Sequence, residues 1–178
     1  EDSPIAPLLQ AALYLRLGDQ ELAFDLYSEN VDLFSEHREQ MPVDLVEFVV
    51  ERLIAAGGDE NFDYVEDLVR TWLVKNSESE EVGDGAKATM QLLLAENYFK
   101  ARRFDIARSE YTTVVNRYPE SEQALDAQFG IGESFMEQKV FDQAQKVFDK
   151  LANSNETLIV VRAEFLRGVL SFRRGDRD

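Results

Sequence analysis

The stretch from Ala95 to Tyr111 reads AENYFKARRFDIARSEY and contains a pattern of small and aromatic residues that recurs along the chain. A small residue is followed by an aromatic residue three positions later, by an alanine after nine more, and by a second aromatic after another four. The pattern occurs at three sets of positions: Ala11, Tyr14, Ala23 and Tyr27; Ala95, Tyr98, Ala107 and Tyr111; Gly132, Phe135, Ala144 and Phe148. This self-similarity predicts a stack of helix-turn-helix units, each of which buries its apolar face against a neighbour.

The composition of the 178-residue chain predicts a folded protein, because 44% of its residues are hydrophobic and 11% are aromatic. No apolar run approaches the roughly 20 residues that a membrane-spanning helix needs, and the N-terminus lacks the layout of a signal peptide. The absence of cysteine excludes disulfides, thiolate catalysis and cysteine zinc sites. The chain begins at Glu1 without a methionine. Its last six residues, RRGDRD, resemble the sequence LRLGDQ of residues 15–20, which lies at the end of a predicted helix. We therefore expect the chain to be a piece of a longer protein.

The net charge of -16 lies entirely in the first half of the chain. Residues 1–84 contain 21 acidic and 5 basic side chains, whereas residues 85–178 contain 14 of each. Nucleic acids and anionic lipids need a basic surface, so we expect neither as a partner. Two interpretations of the acidic half remain open: a solvated surface, or a docking face for a basic partner.

The spacing of apolar residues predicts helices throughout, and no alternating run is long enough to indicate a strand. We expect an all-α, right-handed α-α superhelix of about four helix pairs plus a terminal helix. Residues 1–76 would form acidic helix pairs, of which the second pair is degenerate, and residues 86–178 would form further repeats, of which the last is truncated. The acidic stretch 77–85 is either a long loop within one array or a hinge between two arrays.

The unit that starts at Ala88 resembles the tetratricopeptide repeat, whose characteristic positions are occupied here by Ala95, Tyr98, Phe104, Ala107, Tyr111 and Pro119. Small residues let the two helices of a pair approach closely, and aromatic rings fill the gaps between pairs. The unit that starts at Leu125 matches nearly as well. The unit that starts at Pro4 matches less well, because Gln20 stands where an aromatic residue is expected.

Residues 116–135, NRYPESEQALDAQFGIGESF, are similar to repeats of bacterial envelope proteins such as the Tol-Pal coordinator and the lipoprotein of the outer-membrane assembly machine. This finer resemblance implies a periplasmic or envelope-associated protein. A cytoplasmic location is the alternative.

The resemblance also implies a concave groove lined by the first helix of each pair. In the two clearest units the groove positions are Thr89, Leu92, Glu96, Phe99 and Lys100, then Asp126, Phe129, Glu133, Met136 and Glu137. Phe99, Phe129 and Met136 would be exposed apolar groups there, which are typical of a binding surface. Because Leu92 and Glu96 replace two residues with which some family members clamp a peptide carboxylate, a chaperone C-terminal tail is a poor candidate ligand.

Constellations that would indicate an enzyme, a metal or a cofactor are missing from the sequence. His37 is the only histidine, and catalysis and metal binding need several convergent groups. The stretch after Gly58 resembles a calcium loop, but Tyr64 stands where glycine is required and Arg70 where glutamate is required. The acids at 78, 80 and 81 lie in the predicted linker, where nothing would position them for catalysis.

We therefore expect a non-enzymatic scaffold, without cofactor or metal, that binds a protein or peptide segment in the groove. The alternative is a structural spacer or self-assembly segment, which would form homo-oligomers through the ends of the array.

Overall fold

The computed structural model describes residues 5–175, and within that range it contains helices and turns but no β-strand. The predicted all-helical repeat fold is confirmed. The chain divides into two compact units, Glu1–Val82 and Gly83–Asp178. Residues 1–4 and 176–178, which begin and end the predicted segments 1–76 and 86–178, lie outside the described residues.

The N-terminal unit contains two pairs of packed helices. Its helices are α1 (Ala6–Arg16), α2 (Gln20–Glu29), α3 (Val31–Glu36), α4 (Val43–Ala56) and α5 (Asp59–Asn76), with a 3-10 turn at Arg38–Gln40. Helix α1 packs on α2, α4 packs on α5, and α1 also contacts α4. The helical spacing of Val46, Val49, Val50 and Leu53 predicts one apolar stripe, and all four side chains are buried in α4. Gly57 and Gly58 end that helix with positive φ angles.

The sequence predicts one continuous helix over residues 21–34. This prediction was wrong, because the segment is broken into α2 and α3 at Asn30. The backbone of Asn30 leaves the helical region, and its side-chain amide donates a hydrogen bond to the carbonyl of Leu26 at 2.8 Å. Asparagine competes with the helical backbone in this way. The break lets Phe34 turn into the core, where its ring packs edge-on against Tyr27 at a centroid distance of 5.3 Å.

The C-terminal unit continues the alternation of paired helices. Its helices are α6 (Asp84–Lys100), α7 (Phe104–Arg117), α8 (Gln123–Glu137), α9 (Phe141–Ala152) and α10 (Thr157–Arg174). Each of these helices packs on the next, and α6 also packs on α8. The amide nitrogen of Gln123 donates a hydrogen bond to the hydroxyl of Thr89 at 2.9 Å, which joins α8 to α6 at their N-terminal ends.

The glycines of α8 allow the aromatic residues of the repeated pattern to approach its backbone. A Cβ atom at Gly132 would lie 2.4 Å from the nearest atom of the Phe148 ring, and one at Gly130 would lie 2.5 Å from Tyr111. Contacts this short are impossible for a real side chain, so both positions require glycine as long as the two rings stay in place.

Helix α10 aligns with α8 at its C-terminal end. Gly175 follows α10 in the left-handed conformation, at φ 85°, in the same way that Lys139 follows α8 at φ 62°. This alignment makes three positions of α10 equivalent to positions of α8: Phe165 to Phe129, Gly168 to Gly132 and Phe172 to Met136. In α8 these positions are buried by neighbouring helices, whereas in α10 they are exposed.

Candidate peptide-binding groove

The predicted groove residues of α6 lie along one side of that helix and are accessible to different degrees. Leu92, Glu96 and Phe99 are half-buried, and Lys100 is exposed. The ring of Phe99 packs edge-on against Phe104 at a centroid distance of 5.4 Å, which holds it in place while part of its surface remains open. Helix α6 therefore contributes a partly apolar, accessible strip.

Two of the predicted groove residues of α8 are core residues, and the expectation that they are exposed was wrong. Phe129 is 0% exposed and Met136 is 5% exposed. Helix α10 covers them: the Arg162 guanidinium lies 4.0 Å from the centroid of the Phe129 ring, and Met136 belongs to a cluster with Leu166 and Leu170. The burial of Phe129 and Met136 could have been predicted from the terminal helix, because each unit of a stack covers the face of the unit before it.

Glu133 and Glu137 remain half-buried at the surface of α8. We therefore define the groove surface by six residues: Leu92, Glu96, Phe99, Lys100, Glu133 and Glu137. Glu137 is paired with Arg173 of α10, and the neighbouring Asp126 is paired with Arg162.

Tyr111 of α7 is buried beneath this surface, against Gly130 of α8. Burial raises the pKa of the Tyr111 hydroxyl, and the negative charges of Glu96, Glu133 and Asp126 raise it further. Carboxylates from α6 and α8 thus act electrostatically on the same buried hydroxyl. Sequence reasoning missed this contribution of α7, although the aromatic position of Tyr111 in the repeated pattern indicated that it would lie between helix pairs.

Among the acidic side chains of the groove surface, Glu133 has a raised pKa, so the folded structure disfavours its ionised form. Burial raises its pKa, Arg162 opposes the shift, and the charges of Asp126 and Glu137 add to it. Removal from water penalises the charged form of a carboxyl group, and neighbouring negative charges have the same effect.

Replacing Glu133 with glutamine is expected to stabilise the free protein at neutral pH, because the substitution removes a carboxylate that is disfavoured there. With a folded-state pKa above the unfolded value, the stability that protonated Glu133 contributes is fully present below its ordinary pKa and is lost as the pH rises through the raised value. The advantage of Glu133→Gln over the parent should therefore shrink as the pH falls towards 4. Thermal unfolding of both proteins between pH 4 and pH 7 measures it, and an advantage independent of pH would contradict the assignment.

Neither His37 nor the acidic side chains form a catalytic or metal-binding cluster within the described residues. His37 contacts the side chain of Gln40, and Nδ1 of the imidazole lies 3.3 Å from the amide nitrogen. Over residues 5–175, no three histidine or carboxylate side chains are placed to hold a metal ion. No helix in that range is both long and apolar enough to cross a bilayer. That the protein lacks a cofactor and catalytic activity stays a prediction.

Comparison with known families identifies the helix pairs around the groove surface. The family model of the tetratricopeptide repeat matches residues 89–121 and 126–155, which correspond to α6 with α7 and to α8 with α9. These two stretches, about a third of the chain, are therefore similar to tetratricopeptide repeats. Such repeats generally mediate protein-protein interaction or scaffolding, and the family is typically non-enzymatic. No curated protein and no solved structure matches the chain significantly.

Proposed function

We propose that the C-terminal unit is a protein-interaction module whose groove surface binds an extended, basic segment of a partner protein. The observation that carries this proposal is the acidic and partly apolar character of the groove surface, where Glu96, Glu133 and Glu137 are half-buried on α6 and α8 together with Leu92 and Phe99.

The charge of the groove surface favours a basic ligand. A lysine or arginine of the partner would place a further positive charge beside the carboxylates of Glu96 and Glu133. Its binding would favour the ionised form of Glu133 and offset the cost of burying that carboxylate. Such contacts steer association and set specificity more than they raise affinity.

The spacing of the groove residues favours an extended segment. Leu92, Glu96 and Lys100 recur every four residues and so form a row along α6, which spans about 12 Å at the rise of a helix. A row of this length matches roughly four residues of an extended peptide. Phe99 beside the row offers the partner an apolar anchor, and Lys100 at its end suits an acidic or carboxyl group.

The direct test is selection of random peptides on the whole protein, followed by affinity measurements on selected peptides by fluorescence anisotropy. The selected sequences should be rich in lysine and arginine, and their affinity should fall as salt is added. A Glu96→Gln/Glu133→Gln variant should lose at least about tenfold in affinity, the factor that corresponds to 1.4 kcal/mol.

The matched control is Glu120→Gln, which removes the same charge from an exposed position in the turn before α8. It should bind the selected peptides like the parent protein. A selection without basic preference, or equal loss in the control, would contradict the proposed groove.

The envelope location suggested by residues 116–135 is also a proposal, because the matched family model concerns the repeat in general. Fractionation of cells that produce the complete native protein would test it. Recovery in the cytoplasmic fraction would refute an envelope location without affecting the groove.

A further inference from the structure

Helix α10 carries a row of exposed apolar side chains on the side that faces away from α8 and α9. The row consists of Leu158 (84% exposed), Val161 (61%), Phe165 (69%) and Phe172 (85%). The spacings of three, four and seven residues keep these side chains on one narrow stripe, which is the pattern of a helix-helix seam with a seven-residue period. An apolar side chain would also be expected at position 168, between Phe165 and Phe172, but this position is a glycine.

None of the described residues 5–175 requires glycine at position 168. A Cβ atom at this position would meet no atom within 4 Å, so no close approach requires glycine there. Glycine in the middle of a helix is less favourable than alanine, because it loses more backbone freedom on folding. At the equivalent position of α8, Gly132 is needed because the Phe148 ring lies against it. A ring supplied from outside the described residues would give Gly168 the same role.

We propose that two copies of this protein pair through this stripe, with their α10 helices antiparallel around a two-fold axis. With the axis between Phe165 and Gly168, the ring of Phe165 lies over the partner's Gly168, and Val161 lies beside the partner's Phe172. Large side chains meet small ones along the whole contact. In such a pair the same stripe of both copies forms the contact, so the stripe must be complementary to itself. A two-fold interface has this requirement.

The charges that border the stripe are compatible with pairing between identical copies. Arg162 and Arg173 form ion pairs with Asp126 and Glu137 of α8, and Arg167 pairs with Glu164 and Asp149. These basic side chains are therefore neutralised within each copy, so that two identical flanks do not repel each other strongly.

The area of the stripe fits a reversible dimer. Each phenylalanine can bury 150–250 Å², so the four side chains together offer on the order of 500 Å² per copy. Two copies would bury about 1,000 Å², which is the lower limit for a specific protein-protein interface. The stripe also continues an interface that already exists, because the equivalent face of α8 is buried by α9 and α10.

The first test is the mass of the protein in solution, measured by analytical ultracentrifugation at concentrations from micromolar to millimolar. The parent should shift from monomer to dimer, and Phe165→Glu should weaken the association at least about tenfold, which corresponds to 1.4 kcal/mol. Val74→Glu is the matched control, because Val74 is 76% exposed on α5 of the N-terminal unit. A parent that stays monomeric, or a dimer that survives Phe165→Glu, would overturn the proposal.

The second test uses the absence of native cysteine, which makes an introduced thiol unique. In the proposed pair, Glu164 and the partner's Ser171 differ by only about 3 Å along the helix axis, whereas Glu164 and the partner's Glu164 differ by about 7.5 Å. A mixture of the single variants Glu164→Cys and Ser171→Cys should therefore form disulfide-linked dimers of one variant with the other.

Each single variant alone should cross-link far less than the mixture. Equal cross-linking of the single variants and the mixture would rule out the antiparallel arrangement. Both tests are independent of the groove surface, because Glu96→Gln/Glu133→Gln should dimerise like the parent.

Discussion

Replacing Phe129 with alanine is expected to lower the free energy of unfolding by about 3–5 kcal/mol, the usual cost of deleting a buried phenylalanine ring. Phe129 is completely buried in the cluster formed by α8, α9 and α10, and the Arg162 guanidinium lies over its ring. The substitution would leave a cavity there and would remove the cation-π contact. Chemical denaturation followed by circular dichroism measures this change.

The matched control is Phe165→Ala, the same substitution at the equivalent position of α10. Because Phe165 is exposed, its replacement should change the stability of the monomer by less than about 0.5 kcal/mol. Measurements at low protein concentration keep self-association out of the comparison. Equal effects of the two substitutions would show that Phe129 is not buried as described.

Replacing Gly132 with alanine is expected to destabilise the protein by about 1–3 kcal/mol, although alanine favours helix formation. The new methyl group would overlap the Phe148 ring, which is fully buried among the residues of α8, α9 and α10. Denaturation followed by circular dichroism again provides the measurement. Fluorescence of Trp72, the only tryptophan, reports the N-terminal unit separately, because Trp72 lies in α5.

The same substitution at Gly168 should have the opposite sign. With open space around its Cβ position, Gly168→Ala should stabilise the monomer by about 1 kcal/mol through helix propensity alone. Shrinking the opposing ring with Phe148→Leu should make Gly132→Ala less costly than it is in the parent. Stabilisation by Gly132→Ala in the parent background would contradict the close contact.

The burial of Phe129 also determines how the groove surface can be tested. A variant that combines Phe99→Ala with Phe129→Ala would lose stability and groove surface together, so a loss of binding could not be assigned to the groove. Glu96 and Glu133 are better positions, because glutamine keeps the shape of both side chains.

The sequence by itself determined the helical repeat. The spacing of Ala95, Tyr98, Ala107 and Tyr111 depends on local helix geometry and on the sizes of the side chains that meet within one unit. Helix geometry and side-chain size both depend on residues that are close in the sequence. The pairing of helices, the buried stripe of α4 and the terminal helix could therefore be predicted. The break at Asn30 could not be, because it depends on a hydrogen bond that competes with the helix and on the core position that Phe34 reaches.

Only the tertiary structure decided which apolar residues are accessible. Phe129 and Phe165 occupy equivalent positions on equivalent helices, and their local sequences do not distinguish a groove residue from a core residue. What distinguishes them is the next helix: α10 lies over Phe129, and no described helix of the chain lies over Phe165. The same holds for Glu133, whose pKa is raised by burial in the folded protein and is also affected by Arg162 of α10. Burial and charge at these positions depend on contacts between units of the stack, which a pattern within one unit does not contain.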